Sequence, residues 1–183
     1  MSTLALVCIL ILSIQIIYLL LFYIGVNKRP SNSPQPPHPV SVIVCAHDEE
    51  QNLRELIPVL LAQDHPEFEI IIVEDRCNDG TYDYLREATA QHSQLKMVRV
   101  VHKPEHISGK KFALTLGIKA AKYEWLLFTD ADCRPASAQW IKSMTQNYDE
   151  QTQLVLGCSP YEKKAGWLNA FIRFESLLTV VQY

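Results

Sequence analysis

The sequence predicts an α/β fold, a mostly parallel sheet with helices on both faces, preceded by one N-terminal transmembrane helix. Three observations carry this expectation. From Val40 onward, short apolar runs alternate with stretches of helical spacing. The apolar runs are continuous rather than alternating with polar residues, as in strands covered on both faces. Residues 4–24 form a separate apolar run interrupted only by Ser13 and Gln15.

Residues 1–27 carry no charged side chain. At the helical rise the apolar run spans roughly 30 Å, the thickness of a hydrocarbon core. A cleaved signal peptide is the competing reading, opposed by the length of the run and the lack of a positive leader. Lys28 and Arg29 follow immediately, so the remainder is expected on the cytoplasmic side of a plasma or inner membrane crossed once. Residues 28–39 hold Pro30, Pro34, Pro36, Pro37 and Pro39 and read as an extended spacer, with residues 40–183 as one domain. Beyond residue 39 there are 15 Lys and Arg against 20 acids, a formal charge of −5 that argues against a nucleic-acid partner. Cys8, Cys45, Cys77, Cys133 and Cys158 show neither disulfide nor metal spacing, and are expected to be buried and inert in a reducing compartment.

Within the domain, strands are expected at 40–45, 69–73, 95–101, 125–129 and 153–158, and helices at 49–63, 81–92, 110–121 and 136–148. The helix at 49–63 places Leu53, Leu56, Ile57, Leu60 and Leu61 on one face, with a kink expected at Pro58.

Polar residues concentrate where these strands end, the place where open α/β sheets bind ligands. After the first strand come Ala46, His47, Asp48, Glu49 and Glu50, whose acids also suit the positive end of the next helix. After the second come Glu74 and Asp75, able to accept hydrogen bonds from a ribose or base. There Asn78, Asp79 and Gly80 form a turn, with Asp79 or Thr81 capping the next helix. Lys110 and Lys111 begin a helix against its dipole, a cost that an anionic phosphate would reverse.

The run 125–129 ends in Asp130-Ala131-Asp132. Two close carboxylates repel each other unless a cation or donors compensate, and a hard divalent ion would do so. The alternative is that they shape a turn and cap the following helix. His102 and His106 are four apart, but Pro104 between them disfavours a helical metal pair. No Gly-x-Gly-x-x-Gly or Walker loop occurs, which disfavours dinucleotide redox and P-loop chemistry. An acid for a nucleoside, a lysine for phosphate and an acid pair for a divalent ion remain. Those parts suit a nucleoside diphosphate joined to a transferred group.

In order and spacing, residues 42–50, Ile72-Val73-Glu74-Asp75 with Asp79-Gly80-Thr81, Gly109-Lys110 with Ala113-Leu114, and Asp130-Ala131-Asp132 resemble family 2 glycosyltransferases. This is the membrane-linked GT-A group that includes cellulose, chitin and poly-N-acetylglucosamine synthases. The resemblance implies a Rossmann-like GT-A sheet and a nucleotide-diphosphate sugar donor, a UDP-sugar foremost, with a glycan or lipid-linked acceptor and an inverting transfer. By it, Ala46, His47, Glu49 and Asp75 would surround base and ribose, and Lys110 would lie near the nucleotide. Asp130 would face the nucleotide, and Asp132, with Asp130, would hold Mg²⁺ or Mn²⁺. Ala46-His47-Asp48-Glu49 departs from the family's more frequent aromatic and Asn at its second and third positions.

The family's general base lies downstream of the acid pair, and no acid here stands out for it. Asp149 and Glu150 end a helix, Glu162 lies in a loop, and the Gln-x-x-Arg-Trp segment of processive synthases does not occur. Residues 166–183 form an apolar helix needing cover, from further chain or a membrane interface. The expectation is the donor half of a longer transferase. The alternative is a sugar-nucleotide-binding fragment without turnover.

Overall fold

The computed structural model describes residues 3–27, 37–146 and 152–182. In chain order the elements are α1 (Thr3–Asn27), β1 (Val40–Ala46), α2 (Glu50–Leu61), β2 (Phe68–Asp75), α3 (Thr81–Gln91), β3 (Leu95–Val100), α4 (Gly109–Ala120), β4 (Trp125–Asp130), α5 (Trp140–Thr145) and α6 (Trp167–Gln182). They fall into two compact units: Pro34–Gly157, and a second joining Met1–Ser33 with Cys158–Tyr183.

The first unit is an open four-stranded sheet in the order β3-β2-β1-β4, every pairing parallel. Its register is set at the amino end, where Val40 lies opposite both Phe68 and Trp125. Strand side chains alternate between faces, so each strand feeds two cores. Val40, Val42, Val44, Ile70 and Ile72 pack with Leu53, Leu56, Leu60, Leu85 and Ile141 from α2, α3 and α5. Ile43, Ile71 and Val73 pack on the other face against α4 through Ala113, Phe112 and Leu116. Helix α4 lies so close that a Cβ on Gly117 would stand 2.7 Å from Ile43 Cγ2 and 3.0 Å from Val73 Cγ2. Only glycine permits that approach, and the approach fixes where the helix presents its first turn.

Helix α2 runs through Pro58, whose carbonyl accepts the Ala62 N–H at 3.1 Å.

Two expectations fail. Residues 153–158 form no strand; Leu154 and Leu156 are 77% and 76% exposed, and among the described residues no segment pairs with the outer edge of β4. An apolar run becomes a strand only where a neighbour satisfies its backbone. Helix α5 is shorter than 136–148 because residues before it are used in turn contacts. The Ser137 carbonyl accepts from Gln63 Nε2 at 3.0 Å, and the Ser137 hydroxyl accepts the Gln139 N–H at 3.2 Å. Most of the expected spacer at 28–39, together with Asp149 and Glu150, lies outside the described residues.

In the second unit, Thr3–Ile24 of α1 is long and apolar enough to cross a membrane. Helix α6 exposes Trp167, Phe171, Phe174 and Leu177, the last three between 54% and 57%.

Candidate functional site

Strand alternation decides which acids meet at the carboxyl ends. Glu74 and Asp75 are neighbours on β2 and leave the sheet on opposite faces. Glu74 shares the α2–α3 face with Ile70 and Ile72 and is completely buried. It accepts the Cys77 N–H at 2.6 Å and Arg99 Nε at 3.0 Å, and the Arg99 guanidinium lies 4.1 Å over the Tyr82 ring. Its oxygens are satisfied internally, as a buried carboxylate requires. Glu74 therefore supports the fold and offers nothing to a ligand.

Asp75 emerges on the α4 face, with Cys45 of β1 and Asp130 of β4, which are register partners. The Cys45 thiol feels Lys110, Asp75 and Asp130 at once. Burial, the largest influence, pushes it up to about 11, with Lys110 opposing and the two acids adding. At neutral pH Cys45 is an uncharged floor between the acids. Lys110 reaches over from the first turn of α4 and donates to Asp130 Oδ1 at 2.8 Å. That bond raises the lysine pKa, against the opposing effect of burial and with added pull from the charge of Asp130 and, more weakly, of Asp132.

Asp132 is exposed and makes no hydrogen bond or ion pair among the described residues. Its loop is nevertheless held. Arg134 donates to the carbonyls of Ala131 and Cys133 at 2.9 Å each, and its other amino group reaches Asn52 Oδ1 at 3.0 Å and Glu55 Oε2 at 2.9 Å on α2. The alternative in which the acid pair caps the next helix is not realised, since α5 starts only after Gln139 and has no side-chain cap. Two exposed carboxylates on an anchored turn are hard oxygen donors of the kind that suits Mg²⁺ or Mn²⁺.

One other group among the described residues has ligand spacing: Asp48, Cys77 and Asp79, whose ligand atoms lie within 4.8 Å of one another. Those atoms already brace two loops. Asp48 Oδ1 accepts the Asn78 N–H at 2.6 Å, Cys77 Sγ accepts the Asp48 N–H at 3.3 Å, and Asp79 accepts from Thr81 and Glu50 N–H groups. Burial pushes the Cys77 thiol up to about 11, so it is protonated and a poor ligand. Both Asp48 and Arg76 take left-handed backbone, at φ 56° and 55°, to form these loops.

Of the residues expected at the site, Asp75, Lys110 and Asp130 gather around Cys45, with Asp132 following on the anchored turn. His47 joins them by placing Nδ1 against the Asp75 carbonyl, its side chain 58% exposed. Ala46 is buried and contributes its carbonyl, which accepts the Cys77 thiol at 3.5 Å. Glu49 is occupied elsewhere. Its carboxylate accepts from Asn52 Nδ2 at 2.6 Å and its N–H donates to Thr81 at 3.2 Å, beside a hollow of about 340 Å³ lined by Asp48, Asn52 and Asp79. A hollow of about 610 Å³ between α2 and α3, flanked by Arg54, Pro58, Tyr84 and His92, involves none of the expected residues.

Sequence reasoning missed two members of this group. Cys45, expected inert and buried, is half-buried and central; Cys77 and Cys133 are also half-buried, and Cys8 and Cys158 are exposed. Arg76 was missed altogether. Its Nε donates to Asp75 Oδ1 at 2.8 Å and its Nη2 to Oδ2 at 3.3 Å. The available signal was an arginine directly following a strand-end acid.

Known proteins bear on the same region. The family model described as "Glycosyl transferase family 2" matches residues 41–178. The poly-beta-1,6-N-acetyl-D-glucosamine synthase of Staphylococcus epidermidis is 29% identical over 119 residues, covering 61% of this chain and 28% of that synthase. Among solved structures, a mannosyltransferase from Pyrobaculum calidifontis, in complex with GDP-Man and Mn²⁺, superposes with a TM-score of 0.62 at 21% identity, covering 74% of this chain and 40% of that one. At that identity the likeness is one of fold. S. aureus TarS 1-349 matches at 27% identity with a TM-score of 0.50, over 57% of this chain and 30% of TarS 1-349. The chain thus spans well under half the length of these relatives.

Proposed function

The chain belongs to glycosyltransferase family 2, and from that premise we propose that it forms the donor side of a membrane-anchored, inverting sugar transfer from a nucleotide-diphosphate sugar to a glycan or lipid-linked acceptor. Residues 1–27 serve as the anchor, 28–39 as the spacer and 40–183 as the glycosyltransferase domain. Lys28 and Arg29 favour a cytoplasmic domain. The observation that carries the reading is the placement of Asp75, Asp130 and Lys110 on one face beside half-buried Cys45, at the carboxyl ends of three parallel strands. Cys45 is the register partner of Asp130 on one side and of Val73, two residues before Asp75, on the other, and Lys110 bonds Asp130 at 2.8 Å. That is where a doubly covered α/β sheet offers a crevice.

In this proposal each residue has a distinct task. Asp75 accepts hydrogen bonds from the nucleoside, with His47 and Ala46 shaping the wall beside it. Glu49 acts at one remove, holding the loop through Asn52 and Thr81. Lys110 supplies positive charge to the diphosphate where the N–H groups of α4 also favour an anion. Asp132 and Asp130 would hold Mg²⁺ or Mn²⁺, which when bound neutralises charge growing on the departing diphosphate. UDP-sugars are the donor class that the resemblance to the family favours.

Calorimetry of the full chain in detergent with UDP and Mn²⁺ tests the reading. Binding of UDP that strengthens with Mn²⁺ is expected, and no UDP binding in either condition would sink it. Incubation with UDP-sugars then separates transfer from donor binding: UDP release supports an enzyme, and tight binding without release reduces the role to that of a donor-binding fragment.

A further inference from the structure

We propose that Arg76 is an exchangeable latch on the donor site: its guanidinium closes Asp75 when no donor is bound, and moves to the diphosphate when one is. The inference rests on the reading of Asp75 as a nucleoside ligand.

Neighbouring residues on a strand point to opposite faces and cannot pair. Asp75 and Arg76 pair because the strand ends between them and Arg76 turns into left-handed backbone, φ 55°, folding its side chain back over the acid. The result is a two-pronged contact, 2.8 Å and 3.3 Å, that engages both carboxylate oxygens. Asp75 keeps only 10% of its side chain exposed, while Arg76 keeps 38%. The remaining approach is flanked by Gly109, where an added Cβ would meet Asp75 Oδ2 and Arg76 Nη2, each at 3.2 Å. A ribose or base therefore gains free access to Asp75 only when the guanidinium leaves, and the more exposed partner is the one able to move.

The same contact shows where it can go. Arg76 Nη2 stands against the first residue of α4, one position before Lys110. Both donor-facing acids are thus paired with a cation at one helix start, Asp75 with Arg76 and Asp130 with Lys110. An incoming diphosphate is anionic and a better partner for a planar guanidinium than a single carboxylate is. The exchange keeps the guanidinium paired with an anion, while Asp75 trades its cation for hydrogen bonds from the nucleoside.

The test compares uridine with UDP, both titrated with Mn²⁺ present, into the full chain and into Arg76→Gly in detergent. Glycine suits φ 55°, so the variant is expected to fold, and its melting temperature checks this. The latch predicts that UDP binding weakens about tenfold, the scale of one lost charge-assisted contact, while uridine binds as tightly or more tightly. The ratio of the two dissociation constants is the readout. An unchanged ratio, whether both probes weaken together or neither changes, overturns the latch. Wild-type chain that binds no UDP would instead sink the nucleotide-site reading, and the latch with it. Arg76→Lys, which keeps the charge but loses the fork, is expected to fall between wild type and glycine in UDP affinity.

Discussion

At the amino end of the sheet, Glu69 of β2 is 4% exposed and meets Ser41 Oγ at 2.6 Å, the Lys122 N–H at 2.6 Å and the Lys96 ammonium. Ser41 in turn accepts the Tyr123 N–H at 3.2 Å. At the carboxyl end, Asp130 has one exposed lysine, and Asp132 makes no hydrogen bond or ion pair among the described residues. The same strands thus carry two polar clusters with opposite completeness. A carboxylate surrounded by donors from several parts of its own chain is part of the scaffold, whereas one left to solvent on an anchored turn, or held like Asp75 by a single half-exposed arginine, is available to a ligand. Glu74 tests the distinction, since it lies at the carboxyl end but is furnished like Glu69.

The largest effect is expected from Glu74→Ala, which strands the Cys77 N–H and removes the partner of Arg99. A loss of about 3 kcal/mol in chemical denaturation is anticipated, and a neutral result would break the division between the two kinds of acid. Gly117→Ala should cost about 2 kcal/mol, because its Cβ meets Ile43 and Val73 and α4 must shift. If α4 positions Lys110, UDP affinity falls in the same variant. Asp132→Ala should leave stability within about 0.5 kcal/mol while weakening Mn²⁺-dependent UDP binding at least about tenfold. The smallest effect concerns pH. Burial pushes Glu69 up, but Lys96, Ser41 and the Lys122 N–H outweigh it and hold the pKa below the ordinary carboxylate value. A depressed folded-state pKa stabilises above the ordinary value and loses that contribution as pH falls through the folded one. Glu69→Gln should therefore flatten the acid limb of a stability profile below about pH 4.5, and an unchanged limb would count against the network.

Much of the fold was legible because it depends on local signals. Four apolar runs became parallel strands with ends moved by one or two residues, and the helices between them kept their apolar faces. The run at 153–158 misled because an apolar segment carries no information about whether an edge will accept it. At the candidate site, residue types at strand ends and at the start of α4 pointed to Asp75, Lys110, Asp130 and Asp132. What they could not convey was pairing across the chain. Glu49 is engaged by Asn52 and Thr81, Asp48 and Asp79 lace two loops together, and Cys45 is central only because β1 lies between β2 and β4. The separate fates of Glu74 and Asp75 follow from strand alternation alone, but only once the strand is known to reach Asp75.

The contrast between the two ends can be read residue by residue with Mn²⁺ as a paramagnetic probe. In backbone amide spectra of the full chain in detergent, Mn²⁺ with UDP should broaden signals from Ala46 to Asp48, Asp75 to Cys77, Gly109 to Lys111 and Asp130 to Cys133. Ser41, Glu69, Lys96 and Lys122 should remain sharp at the same metal concentration. Broadening centred on the Glu69 cluster, or spread evenly over both ends, would contradict the assignment of the carboxyl ends as the donor site.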